Sequence, residues 1–443
     1  MATEQTAIEE QQQQKVSEIF EKFPEITENF HNFTRIGEGT FSTVYQGIYI
    51  NENNFSLAFK VLVPTSGPDR VEKEIQMLRV LNGQQNVITL LTCMRQEDIY
   101  ILVMPHFPHQ KFQTFFLTFT TQDTQKYMRA LLEAIQHVHK FNIIHRDIKP
   151  SNFLYNRISG QCRLVDFGLA QYLGVSNDAT TEIREISTPL SRFKENEHSS
   201  KKRLPDSIGC NNRHSDIEVC NICNGRPSQQ VSRAGTPGFR APEVLLKYSP
   251  HTVLIDMWAA GIILISILSR RYPFFKSQDD ITALGHITTI FGTEAVQIAA
   301  RAMNKKLTCQ PYVKGFELSH LCRELRGVIS QAGKINTPET NKSIISPKTI
   351  SDIQEVNTSQ PGTPRRSIRL KHKDTGSTDS SVICEKVKED KRSADPYPDD
   401  VYDLLKAMLE LNPKVRLTAN KALEHAFFKI DFTEQKVADY AEE

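Results

Sequence analysis

His145-Arg146-Asp147-Ile148-Lys149-Pro150-Ser151-Asn152, with Asp166-Phe167-Gly168 beginning 14 residues after Asn152, is the stretch on which the fold turns. A turn with incidental charges gives no reason for a lysine two residues and an amide five residues beyond one carboxylate, and then a second carboxylate ahead of Phe-Gly. Working outward, the loop Gly37-Glu38-Gly39-Thr40-Phe41-Ser42, the strand-like Ala58-Phe59-Lys60 and a helical pattern holding Glu74 lie upstream. Ala241-Pro242-Glu243 and Asp256, just before the only tryptophan, Trp258, lie downstream. Each piece occurs incidentally in unrelated chains. The ordered set, with every member in a suitable local context, is hard to produce by accident.

That order and spacing resembles the eukaryotic protein kinases, which implies an α+β, bilobal fold: a small β-sheet lobe with one main helix, and a larger helical lobe. The chain's own patterns run the same way. Strand patterns fall at 33–36, 43–49, 57–63, 88–94 and 99–104, with a helical pattern over 70–81 between them. Beyond Gln125 the reading turns helical, at 127–140, 253–268, 280–291 and 401–411. Ahead of the small lobe, Val16, Ile19, Phe20, Phe23, Ile26 and Phe30 recur at helical spacing, an amphipathic segment expected to cap that lobe although Pro24 interrupts it.

Two polar stretches break the pattern and are too long for ordinary loops, so they read as inserts, expected to be largely disordered. The expected organisation is an N-terminal extension (1–30), small lobe (31–107), large lobe with the catalytic loop (108–174), first insert (175–230), large lobe (231–328), second insert (329–394), end of the large lobe (395–430) and a tail (431–443).

A hydrophobic content of 39% over 443 residues is low for one compact domain, in keeping with residues outside any core. The net charge of +2 argues neither for nor against a nucleic-acid role; no direct nucleic-acid binding is expected. The first residues are polar and acidic, unlike a signal peptide, and the longest apolar run, 259–268, is about half of what a bilayer span needs. No membrane association is expected. The eight cysteines, without a secretory signal, imply a reducing compartment.

Phosphoryl transfer requires a protein to hold phosphates, position a hydroxyl and neutralise developing charge, and the kinase resemblance assigns those tasks. Gly37 and Gly39 let a hairpin close over the phosphates; taken alone, this loop reads as an ordinary hairpin, and Ser42 stands where the family's third glycine falls. Lys60 is the expected ligand of the α- and β-phosphates, paired to a helix glutamate. Glu72 and Glu74 are both candidates, and Glu74 is preferred because Ile75, Met77 and Leu78 form the apolar face beside it. Asp147 would orient the incoming hydroxyl and accept its proton, and Lys149, the serine/threonine-kinase variant, would contact the transferred phosphoryl. Asn152 and Asp166 supply the oxygen donors that suit Mg²⁺. Ile36, Val44, Ala58 and Leu154 would enclose the base of ATP, with the carbonyl of Pro105 and the N–H of Phe107 as hinge contacts. Glu243 with Arg416, and Asp256 beneath the catalytic loop, are expected to be structural, as is Thr236, which would bond toward Asp147.

In the first insert Cys210, His214, Cys220 and Cys223 supply four soft or borderline ligands, enough for one tetrahedral zinc; the bland alternative is unpaired surface thiols and a solvated histidine.

The words around the motifs narrow the resemblance. Residues 147–156 (D-I-K-P-S-N-F-L-Y-N), 165–171 (V-D-F-G-L-A-Q) and 233–243 (R-A-G-T-P-G-F-R-A-P-E) closely resemble the cell-division-cycle-seven kinase family, the catalytic subunits of DDK. The resemblance implies a nuclear serine/threonine kinase that uses ATP and Mg²⁺. It implies an activating regulatory subunit of the S-phase-kinase-activator type and protein substrates among the MCM helicase subunits, with serines beside acidic or phosphorylated residues favoured. Arg233 and Arg240 are expected partners for such negative charge. The basic run Arg365–Lys373 reads either as a nuclear import signal or as a solvated charge run. Two other readings stay open at this point: a casein-kinase-one-like enzyme, and a pseudokinase scaffold.

Overall fold

Leu57, Phe59 and Val61 pack into one apolar cluster while Leu62 packs into another, and Ala58 and Lys60 alternate with the first set. This is the period of two that an extended chain imposes on its side chains. The computed structural model describes residues 16–39, 42–62, 68–174, 235–249, 251–327 and 395–432. The elements below belong to one unit, Met1–Arg326 with Asp395–Glu443. Gly327–Ala394 form a second unit, of which all but Gly327 falls outside the described residues.

The alternating strand is β3 (Glu52–Leu62), in a five-stranded antiparallel sheet with β1 (Phe30–Glu38), β2 (Ser42–Tyr49), β4 (Thr92–Gln96) and β5 (Ile99–Pro105), in the order β1-β2-β3-β5-β4. Its outer face is covered by the chain's own N-terminal segment. Residues 16–21 are helical, the helix breaks ahead of Pro24, and a single turn, Pro24–Thr27, resumes with proline at its start. Val16, Phe20, Phe23 and Ile26 pack on Tyr45, Phe59 and Val103, and the Phe20 ring stacks on Phe33 at 4.0 Å. Residues 16–30 are thus part of the small lobe rather than an appendage to it.

On the other face, α1 (Pro68–Leu81) buries Val71, Glu74, Met77, Leu78 and Leu81. Those positions recur every three or four residues, the stripe of an amphipathic helix. Ile75, counted in that face from sequence, is only partly buried.

The strand expected over 88–94 forms later, at Thr92–Gln96. Val87 and Ile88 are buried, but the Ile88 N–H donates to the Leu164 carbonyl at 3.0 Å and Val87 bridges Leu164. Their apolar character serves the join between the lobes. Strand β1 begins at Phe30, earlier than the pattern predicts, because an irregularity between His31 and Thr34, with Asn32 at φ 52°, breaks the alternation.

In the large lobe, α2 (Thr121–Lys140) starts well before the apolar period is visible. Thr120 and Asp123 form a reciprocal capping box that carries its polar first turns. Helix α3 (Leu254–Ser269) is buried along almost its whole length, so it is apolar all round. Around it lie α4 (Asp280–Phe291), α5 (Thr293–Ala302), α6 (Leu318–Leu325) and α7 (Asp399–Met408). Helix α7 starts two residues earlier than the pattern predicts, directly after Pro398, and ends at Met408 rather than continuing to 411. Short pairs β6 (Ile143–Ile144) with β9 (Gln171–Tyr172), and β7 (Phe153–Tyr155) with β8 (Cys162–Leu164), frame the catalytic loop. Across the second insert, Arg323 and Arg326 on one side meet Asp395 on the other at 2.6 and 2.5 Å. Among the described residues no helix is long and apolar enough to cross a membrane.

Candidate active site

Strand β3 turns Lys60 toward the large lobe, where the side chain is only 7% exposed. An ammonium buried that deeply must be paired, and Lys60 Nζ donates to Glu74 Oε1 at 2.6 Å and to Asp166 Oδ1 at 2.8 Å. Burial alone would lower its pKa; the two carboxylates outweigh burial and hold it above the ordinary lysine range. For Asp166 burial works upward, and the Lys60 charge, helped by His145 and the Gly168 N–H, brings the carboxyl down to about 2. The Asp166 side chain stays 46% exposed, opening on a cavity of about 310 Å³ whose lining includes Glu38, Gly39, Arg70, Asp147 and Lys149. Asp166 and Arg146 both hold left-handed backbone, at φ 66° and 68°. Non-glycine residues keep that conformation only where the surroundings enforce it.

Asp147 is 6% exposed and fully engaged. Its Oδ1 accepts the Thr236 N–H at 3.0 Å and the Thr236 hydroxyl at 2.8 Å; its Oδ2 accepts Asn152 Nδ2 at 3.0 Å and Lys149 Nζ at 2.8 Å. Lys149 Nζ also reaches Thr236 Oγ1 at 2.9 Å. The Asn152 amide nitrogen is committed to Asp147, so its oxygen is the group left for a cation. Beneath the loop, Asp256 accepts the N–H groups of His145 and Arg146 at 2.8 Å each, with His139 Nε2 at 2.9 Å. Arg416 forks onto Glu243 at 2.6 and 2.8 Å.

Glycines differ in what demands them. A Cβ at Gly235 would come within 2.5 Å of the Arg146 carbonyl, and φ there is 98°, so this glycine is required by the chain itself. A Cβ at Gly37 would meet Val44 at 3.7 Å and one at Gly39 would meet Ser42 Oγ at 3.5 Å, both ordinary contacts. The hairpin does not need those two glycines, whereas a phosphate closing on its backbone would. Thr40 and Phe41, at the loop tip, lie outside the described residues.

Ile36 on β1, Val44 on β2 and Ala58 on β3 lie in the small lobe, and Leu154 on β7 in the large one. The hinge between the lobes is held by contacts the sequence did not reveal. His106 donates its N–H to the Ser56 carbonyl at 3.3 Å, Asn156 Nδ2 donates to the Pro108 carbonyl at 2.9 Å, and the Arg163 guanidinium lies 5.5 Å above the Phe107 ring. Arg163 is in register with Leu154, so both belong to the same face of the β7–β8 hairpin. Its only sequence signal was a lone arginine in an apolar strand.

Arg240, expected to receive negative charge on a substrate, is engaged within the chain. It pairs with Asp280 at 2.5 Å and donates twice to the Gly235 carbonyl at 2.9 and 2.6 Å. These contacts anchor the segment after Gly235. Arg233 and the four zinc candidates, Cys210, His214, Cys220 and Cys223, lie outside the described residues. Among the described residues no group of three or more His, Cys, Asp or Glu is arranged to hold a metal. Magnesium takes one or two protein oxygens and completes its shell with water and phosphate. Asp166 and Asn152 have the donor chemistry for it.

A lysine clamped between a helix and an accessible carboxylate, facing a second carboxylate set among donors, is the constellation of a protein kinase. Residues 30–187 and 213–428 match the family model described as "Protein kinase domain". The chain is 33% identical to the "Cell division cycle 7-related protein kinase" of Mus musculus, over 94% of this chain and 93% of that protein. It is 30% identical to the "Cell cycle serine/threonine-protein kinase hsk1" of Schizosaccharomyces pombe, over 94% and 76%. It is 41% identical to the "Probable cell division control protein 7 homolog 2" of Encephalitozoon cuniculi, over 60% and 72%. The chain belongs to the cell division cycle 7-related serine/threonine protein kinases, enzymes that use ATP and Mg²⁺.

Proposed function

We propose that this chain is the catalytic subunit of a replication-initiating kinase. It would transfer the γ-phosphate of ATP to serine or threonine of MCM helicase subunits in the nucleus, once joined by an activating regulatory subunit. The observation that carries the chemical part is the placement of Lys60, Glu74, Asp166, Asp147 and Lys149 around one cleft. Lys60, held by Glu74, binds the α- and β-phosphates. Asp166 and Asn152 would hold magnesium, which would supply neutralisation of the phosphate charge. Asp147 orients the substrate hydroxyl and takes its proton as the oxygen bonds to the γ-phosphorus and ADP leaves; Lys149 stabilises the phosphoryl oxygens in passage. The Thr236 hydroxyl links Asp147 and Lys149 through hydrogen bonds to both.

The biological part rests on the cell-cycle relatives and on the motif words shared with the family. The experiment is a pull-down of the chain followed by phosphate transfer to purified MCM subunits, with and without the co-purifying protein. Equal activity of the isolated chain would remove the partner requirement, and equal transfer to unrelated proteins would remove the MCM assignment. Nuclear localisation predicts a nuclear signal for the tagged chain that weakens when Arg365, Arg366, Arg369, Lys371 and Lys373 are neutralised. The zinc reading, on Cys210, His214, Cys220 and Cys223, predicts one zinc per chain by metal analysis, lost in Cys220→Ser; a zinc-free wild type removes it.

A further inference from the structure

We propose that Arg70 is a positioning residue for the magnesium-binding carboxylate. From the first turn of α1 it fixes the Asp166-Phe167-Gly168 turn, a second tie between this helix and the site beside the Lys60–Glu74 pair. The inference rests on the reading of Asp166 as a cation ligand.

Arg70 Nε donates to the Gly168 carbonyl at 2.7 Å, and Arg70 lines the same cleft as Asp166 and Glu74. Arg70 and Glu74 are four residues apart on α1, so both leave the same face of the helix. Three groups converge on Gly168: a Cβ there would lie 3.3 Å from Asp166 Oδ1, 3.3 Å from Glu74 Oε2 and 3.7 Å from Arg70 Nη2. The turn they surround begins with Asp166 in left-handed backbone. Such a conformation needs fixing at more than one point. Phe167, buried against the His145 ring at 4.8 Å, fixes the middle of the turn, and Lys60 draws on the Asp166 carboxylate at its start. Arg70 fixes its far end.

Glu74 and Arg70 therefore divide the work of one helix face. Glu74 holds the small-lobe lysine, and Arg70 holds the large-lobe metal turn. Without Arg70 the carboxylate is no longer restrained from the Gly168 side, and Lys60 is free to pull it off the position a cation requires. The loss should appear in the magnesium dependence, which a merely structural residue would not move.

The test titrates Mg²⁺ at saturating ATP, using the full chain with its co-purifying subunit, for wild type, Arg70→Ala, Arg70→Lys and Asp166→Ala. In Arg70→Ala the Mg²⁺ concentration for half-maximal rate should rise by about 10-fold or more, the worth of one charge-assisted hydrogen bond, while the melting temperature stays near wild type. Arg70→Lys, which still offers a charged donor, should recover most of the loss. Should Arg70→Ala not fold, Arg70→Gln is read in the same way. A wild-type magnesium curve in the folded Arg70 variant, with Asp166→Ala inactive, overturns the inference and leaves the kinase mechanism standing. Wild-type activity in Asp166→Ala would instead overturn the metal assignment beneath it.

Discussion

Lys60–Glu74 and Arg416–Glu243 are ion pairs of one length, 2.6 Å, and both are shielded from solvent. Their surroundings differ. Arg416 has all three nitrogens engaged: it also donates to the carbonyls of Glu410 and Leu254, lies 5.2 Å over the Trp258 ring, and is buried. Lys60 shares its charge with Asp166, whose carboxylate is nearly half exposed to the cleft. The first pair closes on itself; the second has an open end. A buried pair whose nitrogens are all engaged within the chain is a clasp for the fold, whereas one ending on an accessible oxygen is available for exchange with a ligand. Distance alone does not separate structural from working charges. Access does.

The comparison can be broken first at its open end. Asp166→Ala should lower kcat by on the order of 10⁴-fold, about 5 kcal/mol of transition-state stabilisation, with little change in melting temperature, as measured by phosphate transfer and calorimetry. A large loss of stability with retained kcat would reverse the two roles. At the closed end, Glu243→Gln leaves the Arg416 charge buried without its counter-ion and should cost about 3–5 kcal/mol of stability, read from denaturant midpoints.

Acid should separate them more finely. The folded-state pKa of Asp166 is depressed to about 2. The stability it contributes is therefore present above the unfolded value near 3.8 and is lost as pH falls through about 2. Discounted for its exposure, that contribution is about 1 kcal/mol. In Asp166→Ala the drop in stability across this window should be smaller by that amount, measured by urea unfolding at a series of pH values; an identical drop refutes the depressed carboxyl. The smallest effect belongs to the hinge. Arg163→Ala removes a partly exposed cation–π contact worth about 0.5–1 kcal/mol, so the KM for ATP should rise about 2- to 5-fold with kcat unchanged.

How much of this was legible in the sequence follows from where each signal resides. Asp147, Lys149, Asn152 and Asp166 fall within a short span, and a loop that must fold back on one carboxylate leaves its spacing in the letters. Glu74 was separable from Glu72 because an amphipathic helix buries one of them and exposes the other. The start of α2 was hidden, since a capping box is polar and masks the apolar period. The strand expected at 88–94 began late because two elements compete for the same apolar residues, and Leu164 takes Ile88. The contacts of Arg240 within the chain were hidden for a similar reason. A charged side chain near a loop reads as available until the partner from another element, Asp280, is seen beside it.

By itself the sequence determined which groups are candidates for the chemistry and in what order they lie along the chain, because those groups are few, chemically distinctive and locally spaced. The tertiary structure alone decided which charges are closed and which are open, that the N-terminal segment roofs the small-lobe sheet, and that Arg70 and Arg163 reach Gly168 and Phe107. Those outcomes depend on side chains brought together from distant positions, about which the local spacing of residues carries no information.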